Sequence, residues 1–491
     1  MDLLLDMQKV QVDYLDKRIL SIDDLKIYRS NRIGIVAPNG SGKTTLLKVL
    51  NGDFSPETGT IKRLGSIYLM EQQSEPRFSI SVDEKQQSIL NIPSKHTSLS
   101  GGEKTKLKFL EALNQYPDIL LLDEPSAHLD EVGIQFIIDH LSYYYGAFVL
   151  VSHDRYLLNQ LVEEIWEVRD GHIVKYSGNF EEYKEQKELE CEQAQNYYIQ
   201  MEKEKARLNE ALQDKKQLAS TMTNRKGVRE FRSKSSNMTK SKGTAEKNLQ
   251  KSAKNLEKRI EKMTNYSLPK TKKPVYFDSG RIREMHTSYP IMTDYIDIKQ
   301  EETLLVKDVS LQVKLGEKVS IIGKNGSGKS TLLKSIISSS EGVTISKKAR
   351  IGYFDQETHS RFQNKSDITV LDYCKKRSDY TEAYLRDMLS RIFFTGNDLY
   401  KRLSQLSGGE ITRLSLLLLF VQDYNILLLD EPTNFLDIET IEVVEEFILN
   451  YPGIVVCVSH DCYFVKSISD VIYSIEDNKL IQVPYSNQNI K

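Results

Sequence analysis

The sequence predicts an α/β protein in which two tandem domains, each a parallel sheet covered on both faces by helices, are joined by a long α-helical hairpin. Short, continuously apolar runs (Ile33 to Val36, Ile119 to Leu122, Ala147 to Val151) alternate with helical stretches, the pattern of strands buried on both faces. The plan returns as Val319 to Ile322, Ile426 to Leu429 and Ile454 to Val458. From Glu181 to Lys216 the chain is charged, rich in helix formers and free of Pro and Gly. The expected segments are a first domain over 1–180, a linker over 181–275 and a second domain over 276–491.

Each domain carries the same four landmarks in the same order. A Gly-rich loop reads Ala37-Pro38-Asn39-Gly40-Ser41-Gly42-Lys43-Thr44 in the first and Gly323-Lys324-Asn325-Gly326-Ser327-Gly328-Lys329-Ser330 in the second. Leu-Ser-Gly-Gly-Glu, Leu-Leu-Leu-Asp-Glu-Pro and Ser-His-Asp runs follow each loop. Ser100 to Asp123 and Ser407 to Asp430 are both 23 residues, and Asp123 to His153 and Asp430 to His460 are both 30. Only the stretch from loop to signature differs, 57 residues from Lys43 to Ser100 against 78 from Lys329 to Ser407. This is a repeat of whole domains rather than a solenoid period.

These residue types point to nucleotide hydrolysis. Glycines in the loops let backbone N–H groups face phosphates at a helix N-terminus, where the dipole also favours anions. Asn39 to Thr45 and Asn325 to Thr331 form the expected cradles, with Lys43 and Lys329 as cations for the β/γ-phosphates and Thr44 and Ser330 as hydroxyl ligands for Mg²⁺. Asp123 and Asp430, ending apolar strands, are expected to complete the metal shell. Glu124 and Glu431 follow directly as candidates to polarise the attacking water, and His153 and His460 to contact the γ-phosphate. Gln356, after the strand-like Ile351 to Phe354, is a candidate sensor of metal and water; its first-domain partner is Gln72 or Gln73, with Gln72 preferred. Tyr14 lies 29 residues before Lys43, where it could stack on adenine; the same offset before Lys329 gives Gln300. Ser100-Gly101-Gly102 and Ser407-Gly408-Gly409 each open a helix and offer a second anion-binding terminus.

The four cysteines have no metal-ligand spacing. No run of about 18 uncharged apolar residues exists, and the start, Met1 to Asp6, lacks a basic leader segment, so a cytoplasmic protein is expected. Net charge is -2, yet 213–273 holds 18 Lys and Arg against 5 Asp and Glu. A basic segment between two acidic domains suggests a polyanionic partner. Its densest patch is Lys226, Arg229, Arg232, Lys234, Lys240, Lys242 and Lys247, the expected contacts to RNA backbone, with Leu218, Met222 and Phe231 near the tip. The expected order is helix, basic loop over Gln217 to Thr244, then a second helix over Asn248 to Met263.

Loop, signature, Asp-Glu carboxylates and Ser-His-Asp switch together resemble ATP-binding-cassette domains, which sandwich two ATP molecules head to tail. The resemblance implies that Lys43 faces Ser407-Gly408-Gly409, that Lys329 faces Ser100-Gly101-Gly102, and that Leu129-Asp130 and Leu436-Asp437 couple the two sites. Tandem cassettes with a charged helical linker are similar to the ABC-F family of translation factors, as are Tyr176-Ser177-Gly178-Asn179-Phe180 and Phe231-Arg232-Ser233-Lys234-Ser235-Ser236. The compressed first cassette looks most like the Msr/Vga antibiotic-resistance branch. That resemblance implies ATP and Mg²⁺ as cofactors, a monomer, and the bacterial ribosome as partner, entered at the exit-tRNA site beside the P-site tRNA. It also implies protection against pleuromutilins, lincosamides, streptogramin A and macrolides. A housekeeping translation factor and the ATPase subunit of an exporter are the alternatives. Two motifs depart from the family: Ser126-Ala127-His128 and Thr433-Asn434-Phe435 stand where Thr-Asn-His is usual.

Overall fold

A computed structural model describes residues 2–14, 17–72, 101–127, 129–229, 251–261, 277, 285–355 and 367–483, with backbone alone for Tyr14, Lys17 and 219–229. The chain divides into two compact units, Met1–Tyr183 with Pro274–Lys491, and Lys184–Lys273.

The first cassette opens with β1 (Leu3–Tyr14), β2 (Lys17–Tyr28), β3 (Arg32–Val36), β4 (Thr58–Arg63) and β5 (Ile67–Met70). It continues with β6 (Ile119–Asp123), β7 (Ala147–Val151), β8 (Glu164–Arg169) and β9 (His172–Ser177). The core sheet has the order β5-β6-β7-β3-β8-β9, parallel except for the last hairpin. β1, β2 and β4 form a separate antiparallel sheet.

The second cassette runs from β10 (Ile291–Gln300), β11 (Thr303–Val313), β12 (Lys318–Gly323), β13 (Val343–Ile345) and β14 (Ile351–Phe354) to β15 (Ile426–Asp430), β16 (Ile454–Val458), β17 (Val471–Glu476) and β18 (Lys479–Val483). Its core repeats the first as β14-β15-β16-β12-β17-β18. Here the antiparallel strands join the core sheet, through one parallel register between Lys307 and Lys479.

Strand alternation explains the double cover. In β7, Ala147, Val149 and Val151 enter one core cluster while Phe148 and Leu150 enter the other. β15 divides likewise, Ile426 and Leu428 on one side and Leu427 and Leu429 on the other. β6 and β15 stop at Asp123 and Asp430, so the first polar residue after each apolar run stands at the carboxyl edge, where α/β sheets bind ligands.

One helix spans Phe180–Arg229, in the second unit from Lys184 on, and residues 251–261 of that unit are helical. Lys215 Nζ donates to Ser252 Oγ at 2.6 Å, and ion pairs join Lys216 to Glu257 (2.7 Å) and Arg259 to Glu204 (3.5 Å). The antiparallel order of these pairs makes the hairpin. Its first helix runs past Lys216, where a loop was expected, because Gln217, Leu218, Ala219 and Met222 are helix formers and Gly227 alone costs about 1 kcal/mol. The patch residues Lys226 and Arg229 lie on this helical backbone; Arg232, Lys234, Lys240, Lys242 and Lys247 lie outside the described residues. Among the described residues no helix is long and apolar enough to cross a membrane.

Candidate active site

Each Gly-rich loop delivers a helix N-terminus to the carboxyl edge of its sheet. Gly42 (φ 99°) and Gly328 (φ 100°) precede helices Lys43–Asn51 and Lys329–Ile337 in the left-handed region that favours glycine. A Cβ there would meet Ile19 Cγ2 at 2.6 Å in the first cassette and Leu305 Cβ at 3.0 Å in the second. Tight packing against β2 and β11 therefore sets the loop position.

The lysines fold back on their own loops. Lys43 Nζ donates to Ala37 O (2.8 Å) and lies 3.3 Å from Asn39 Oδ1 and 3.1 Å from His153 Nε2. Lys329 Nζ donates to Gly323 O (2.7 Å) and Lys324 O (2.9 Å). Burial lowers both ammonium pKa values. Thr44 Oγ1 donates to Asp123 Oδ2 at 2.9 Å, and Ser330 Oγ to Asp430 Oδ1 at 3.0 Å. Burial raises both aspartates.

Glu124 and Glu431 share φ 51°, left-handed and strained for a non-glycine residue. Each backbone N–H donates to the end of the neighbouring strand, Val151 O and Val458 O, both at 2.9 Å. Each Oε2 accepts the backbone N–H of the switch histidine, His153 or His460, at 3.3 Å. The imidazoles lie 3.4 Å (His153) and 3.2 Å (His460) from the other carboxylate oxygen. Burial depresses both histidines, His460 to about 4, so they are neutral and these contacts are not ion pairs. Burial raises both glutamates. The imidazole–carboxylate approaches are not aligned as hydrogen bonds, and Glu124 Oε1, Glu431 Oε1, His460 Nε2, Ser41 Oγ and Ser327 Oγ are buried without a hydrogen-bond partner. Buried polar atoms rarely stay unpaired; a bound phosphate and water would supply matching donors and acceptors.

The two cassettes meet around these loops. Asp437 caps helix Ile438–Asn450 with Oδ1, which accepts Thr440 N at 2.9 Å, and reaches across with Oδ2, which accepts Asn39 N at 2.8 Å. Asn39 Nδ2 also donates to Phe435 O at 3.2 Å. Asp130 does the same on the other side more loosely: Oδ1 accepts Gly133 N at 3.0 Å and Oδ2 accepts Asn325 N at 3.4 Å. A Cβ on Gly409 would stand 3.6 Å from Asn39 Nδ2, so the second signature faces the first loop. Ser407 Oγ accepts Glu410 N at 3.4 Å while Glu410 Oε2 accepts Ser407 N at 2.8 Å, a reciprocal cap that holds the signature turn.

One cleft of about 920 Å³ joins both sites. Gly40, Gly42, Lys43, Thr44, Thr45, Gln72, Asp123, Glu124 and His153 line it from the first cassette, with Gly101 and Gly102. Asn325, Gly326, Gly328, Lys329, Ser330, Thr331, Glu431 and His460 line it from the second. Ser407, Gly408 and Asp430 are not among the residues that line it. Ser100, Gln73, Gln356 and the Tyr14 side chain lie outside the described residues. Sequence reasoning missed Ile19 and Leu305, which line the cleft beside Gln300. The 286-residue offset between the two loop lysines relates these two and was the available signal.

The sequence matches the ABC transporter family over residues 20–93, 71–127 and 306–434. It is similar to the erythromycin resistance ATP-binding protein MsrA of Staphylococcus epidermidis, at 38% identity over 93% of this chain and 94% of that protein. It is also similar to the ribosome protection protein VmlR of Bacillus subtilis (29% identity, 97% of this chain, 87% of that protein). A third relative is the energy-dependent translational throttle protein EttA of Mycobacterium tuberculosis (29%, 94% and 89%). In fold the chain resembles the archaeal ribosome recycling factor aABCE1, with TM-score 0.58 at 18% identity, covering 95% of this chain and 87% of that one. Paired loops, carboxylates and switch histidines around one cleft, with 38% identity to MsrA across nearly the full length, make the chain a member of the ABC-F family of ATP-binding-cassette ATPases, on its Msr/Vga-type branch.

Proposed function

We propose that this ATPase protects the bacterial ribosome from antibiotics of the peptidyl-transferase centre and exit tunnel. It enters the exit-tRNA site, and closure of the cassettes drives the linker hairpin toward the P-site tRNA. Pleuromutilins, lincosamides, streptogramin A and macrolides are the drugs it would displace. One observation carries the reading: a 50-residue helix, Phe180–Arg229, leaves the first cassette and leads into the basic segment of the linker. A polyanion partner gives that charge a purpose; an exporter's coupling surface does not. The names of MsrA and VmlR support resistance by ribosome protection over export.

This reading gives each candidate residue a role. Lys43 and Lys329 would leave their loop carbonyls for the β/γ-phosphates, with loop N–H groups completing the cradle. Thr44 with Asp123, and Ser330 with Asp430, would hold Mg²⁺; each site offers hard oxygen ligands but no group of three His, Cys, Asp or Glu among the described residues, which suits a cation completed by phosphate and water. Bound there, the metal would neutralise charge on the transferring phosphoryl group. Glu124 and Glu431, aimed by the switch backbone, would accept a proton from the attacking water. His153 and His460 would donate from Nε2 to the γ-phosphate. Ser100-Gly101-Gly102 and Ser407-Gly408-Gly409 would close the opposite site with their helix N-termini. Gln72 and Gln356 would sense metal and water, and Tyr14 would stack on the base. Lys226, Arg229, Arg232, Lys234, Lys240, Lys242 and Lys247 would contact RNA.

Two measurements test this. The E124Q/E431Q double variant, with ATP present, should co-sediment with ribosomes and arrest growth; sedimentation free of ribosomes would end the ribosomal reading. Expression of the wild type in a susceptible bacterium should raise resistance to at least one of the four drug classes. Ribosome binding with no change in resistance would favour a housekeeping translation factor, the reading that similarity to EttA supports.

A further inference from the structure

The second cassette has a second cleft, of about 540 Å³, which shares no lining residue with the first. It opens at the amino ends of β14 and β15, beside Ile351 and the 421–424 turn, whereas Asp430 and the nucleotide cleft lie at the carboxyl ends. Arg350, Lys375, Lys376 and Arg377 line it against the two carboxylates Asp379 and Asp423, with Tyr380 and Tyr424 beside them. Arg350 pairs with Asp423 at 3.3 Å and Lys375 with Glu382 at 2.5 Å. Lys376 and Arg377 are exposed and pair with no carboxylate among the described residues; Arg377 instead lies over the Tyr373 ring at 4.6 Å. Lys347 and Lys348 precede Arg350 on the same exposed stretch. Tyr380 stacks on Tyr384 with ring centroids 4.3 Å apart, which stiffens that side of the cleft.

The feature is not part of the repeat. Arg350, one residue before β14, has Ser66 as its counterpart before β5, and Ser66 is engaged with Asp118 at 2.9 Å. The stretch that supplies Lys375 to Arg377 falls between loop and signature, where the first cassette is 21 residues shorter. ATP hydrolysis, which both cassettes are equipped for, does not need it. The two exposed cations without a carboxylate, Lys376 and Arg377, beside tyrosine rings suit a phosphate backbone with bases close by.

We propose that this cleft is a second RNA-binding site, which grips ribosomal RNA backbone independently of the linker. The proposal rests on the ribosomal reading for its partner, and the experiment separates the two. Wild type and K376E/R377E are titrated, across a salt series, against intact ribosomes and against deproteinised ribosomal RNA. The variant should bind both more weakly, with a log affinity–log salt slope shallower by roughly 1.4–1.8, about 0.7–0.9 per lost phosphate contact. Basal ATPase rate and melting temperature should match the wild type. Equal slopes on free RNA would overturn the cleft proposal whatever happens on ribosomes. A loss of ribosome affinity with unchanged RNA binding would assign the cleft to a ribosomal protein and likewise overturn it. Failure of the wild type to bind ribosomes, with the slope difference intact on RNA, would remove the ribosomal reading and keep the cleft.

Discussion

Arg155 of the first cassette reaches into the second and donates from Nη2 to Glu445 Oε1 at 2.5 Å, with Asp461 Oδ2 at 3.3 Å. Its side chain is 5% exposed and Glu445's is 12%. Arg155 follows the switch residues His153 and Asp154, and Asp461 follows the other switch histidine, so one guanidinium ties both switch segments together. The symmetry stops there: the position matching Arg155 in the second cassette is Cys462. Asn159 and Tyr463 extend the contact, Nδ2 to the phenol at 3.1 Å.

Removing Arg155 leaves Glu445, Asp461 and the buried Asp154 without their cation. Arg155→Ala should destabilise the protein by about 3–5 kcal/mol, read by denaturant unfolding. Arg155→Lys, which keeps charge but loses the fork, should recover only part of it. A shift near zero for the alanine variant would show that the pair does not form in solution.

The loops after each carboxylate pair hold their own helix and the opposite cassette at once. Asp437→Ala should lose a helix cap worth about 1 kcal/mol and also the link to Asn39. Asp130→Ala should cost a similar cap but less closure, since its link to Asn325 is longer at 3.4 Å. The ATPase rate of Asp437→Ala should therefore fall further than that of Asp130→Ala. Equal rates would refute the asymmetry.

Stability without nucleotide should peak in mildly acidic solution. Burial raises Glu124, Glu431 and, to about 6, Asp154, so these carboxyls hold their protons to higher pH in the fold than in the unfolded chain. Their contribution is full below their unfolded values of 4.5, 4.5 and 3.8 and is lost as pH climbs through the raised ones. His460, depressed to about 4, works oppositely: its contribution is full above 6.5 and lost as pH falls. Each group changes stability by about 1.4 kcal/mol per pH unit within its window. Unfolding midpoints from pH 4 to 9 should rise and then fall. E124Q/E431Q should flatten the alkaline limb, and His153→Gln with His460→Gln the acid limb.

Ile19 and Leu305 line the nucleotide cleft next to each loop. Truncating both to alanine should raise KM for ATP several-fold while kcat changes little, since an apolar contact to the base acts equally before and during the reaction. A fall in kcat alone would place these side chains in loop geometry instead of base binding.

Deletion of residues 217–244 should abolish drug protection and leave basal ATP hydrolysis near the wild-type rate, because the proposed catalytic groups all lie outside that segment. Undiminished protection, read as drug susceptibility of the expressing strain, would refute the linker's role.

Much of the site was legible because its pieces are local. A Gly-rich loop, an apolar strand ending in Asp-Glu and a strand followed by Ser-His-Asp each place their polar residues at the sheet's carboxyl edge by strand length alone. Aliphatic Ile19 and Leu305 were missed, since nothing in their residue type distinguishes cleft lining from core and only the offset between the two loops relates them. The helix past Lys216 was misjudged because Ser, Thr and charge outweighed Gln, Leu, Ala and Met in the reading, although only one glycine interrupts the run.

By itself, the order of residues determined two nucleotide sites, their carboxylates and histidines, and a basic helical connection, because each is encoded within a few tens of neighbours. Folding in three dimensions decided which groups meet across the cassettes: Asn39 with Asp437, Arg155 with Glu445, and the unrepeated cations about Arg377. Such partners lie hundreds of positions apart or on separate turns, and what brings them together is burial of the sheets and helices that carry them. No local pattern announces a contact made that way.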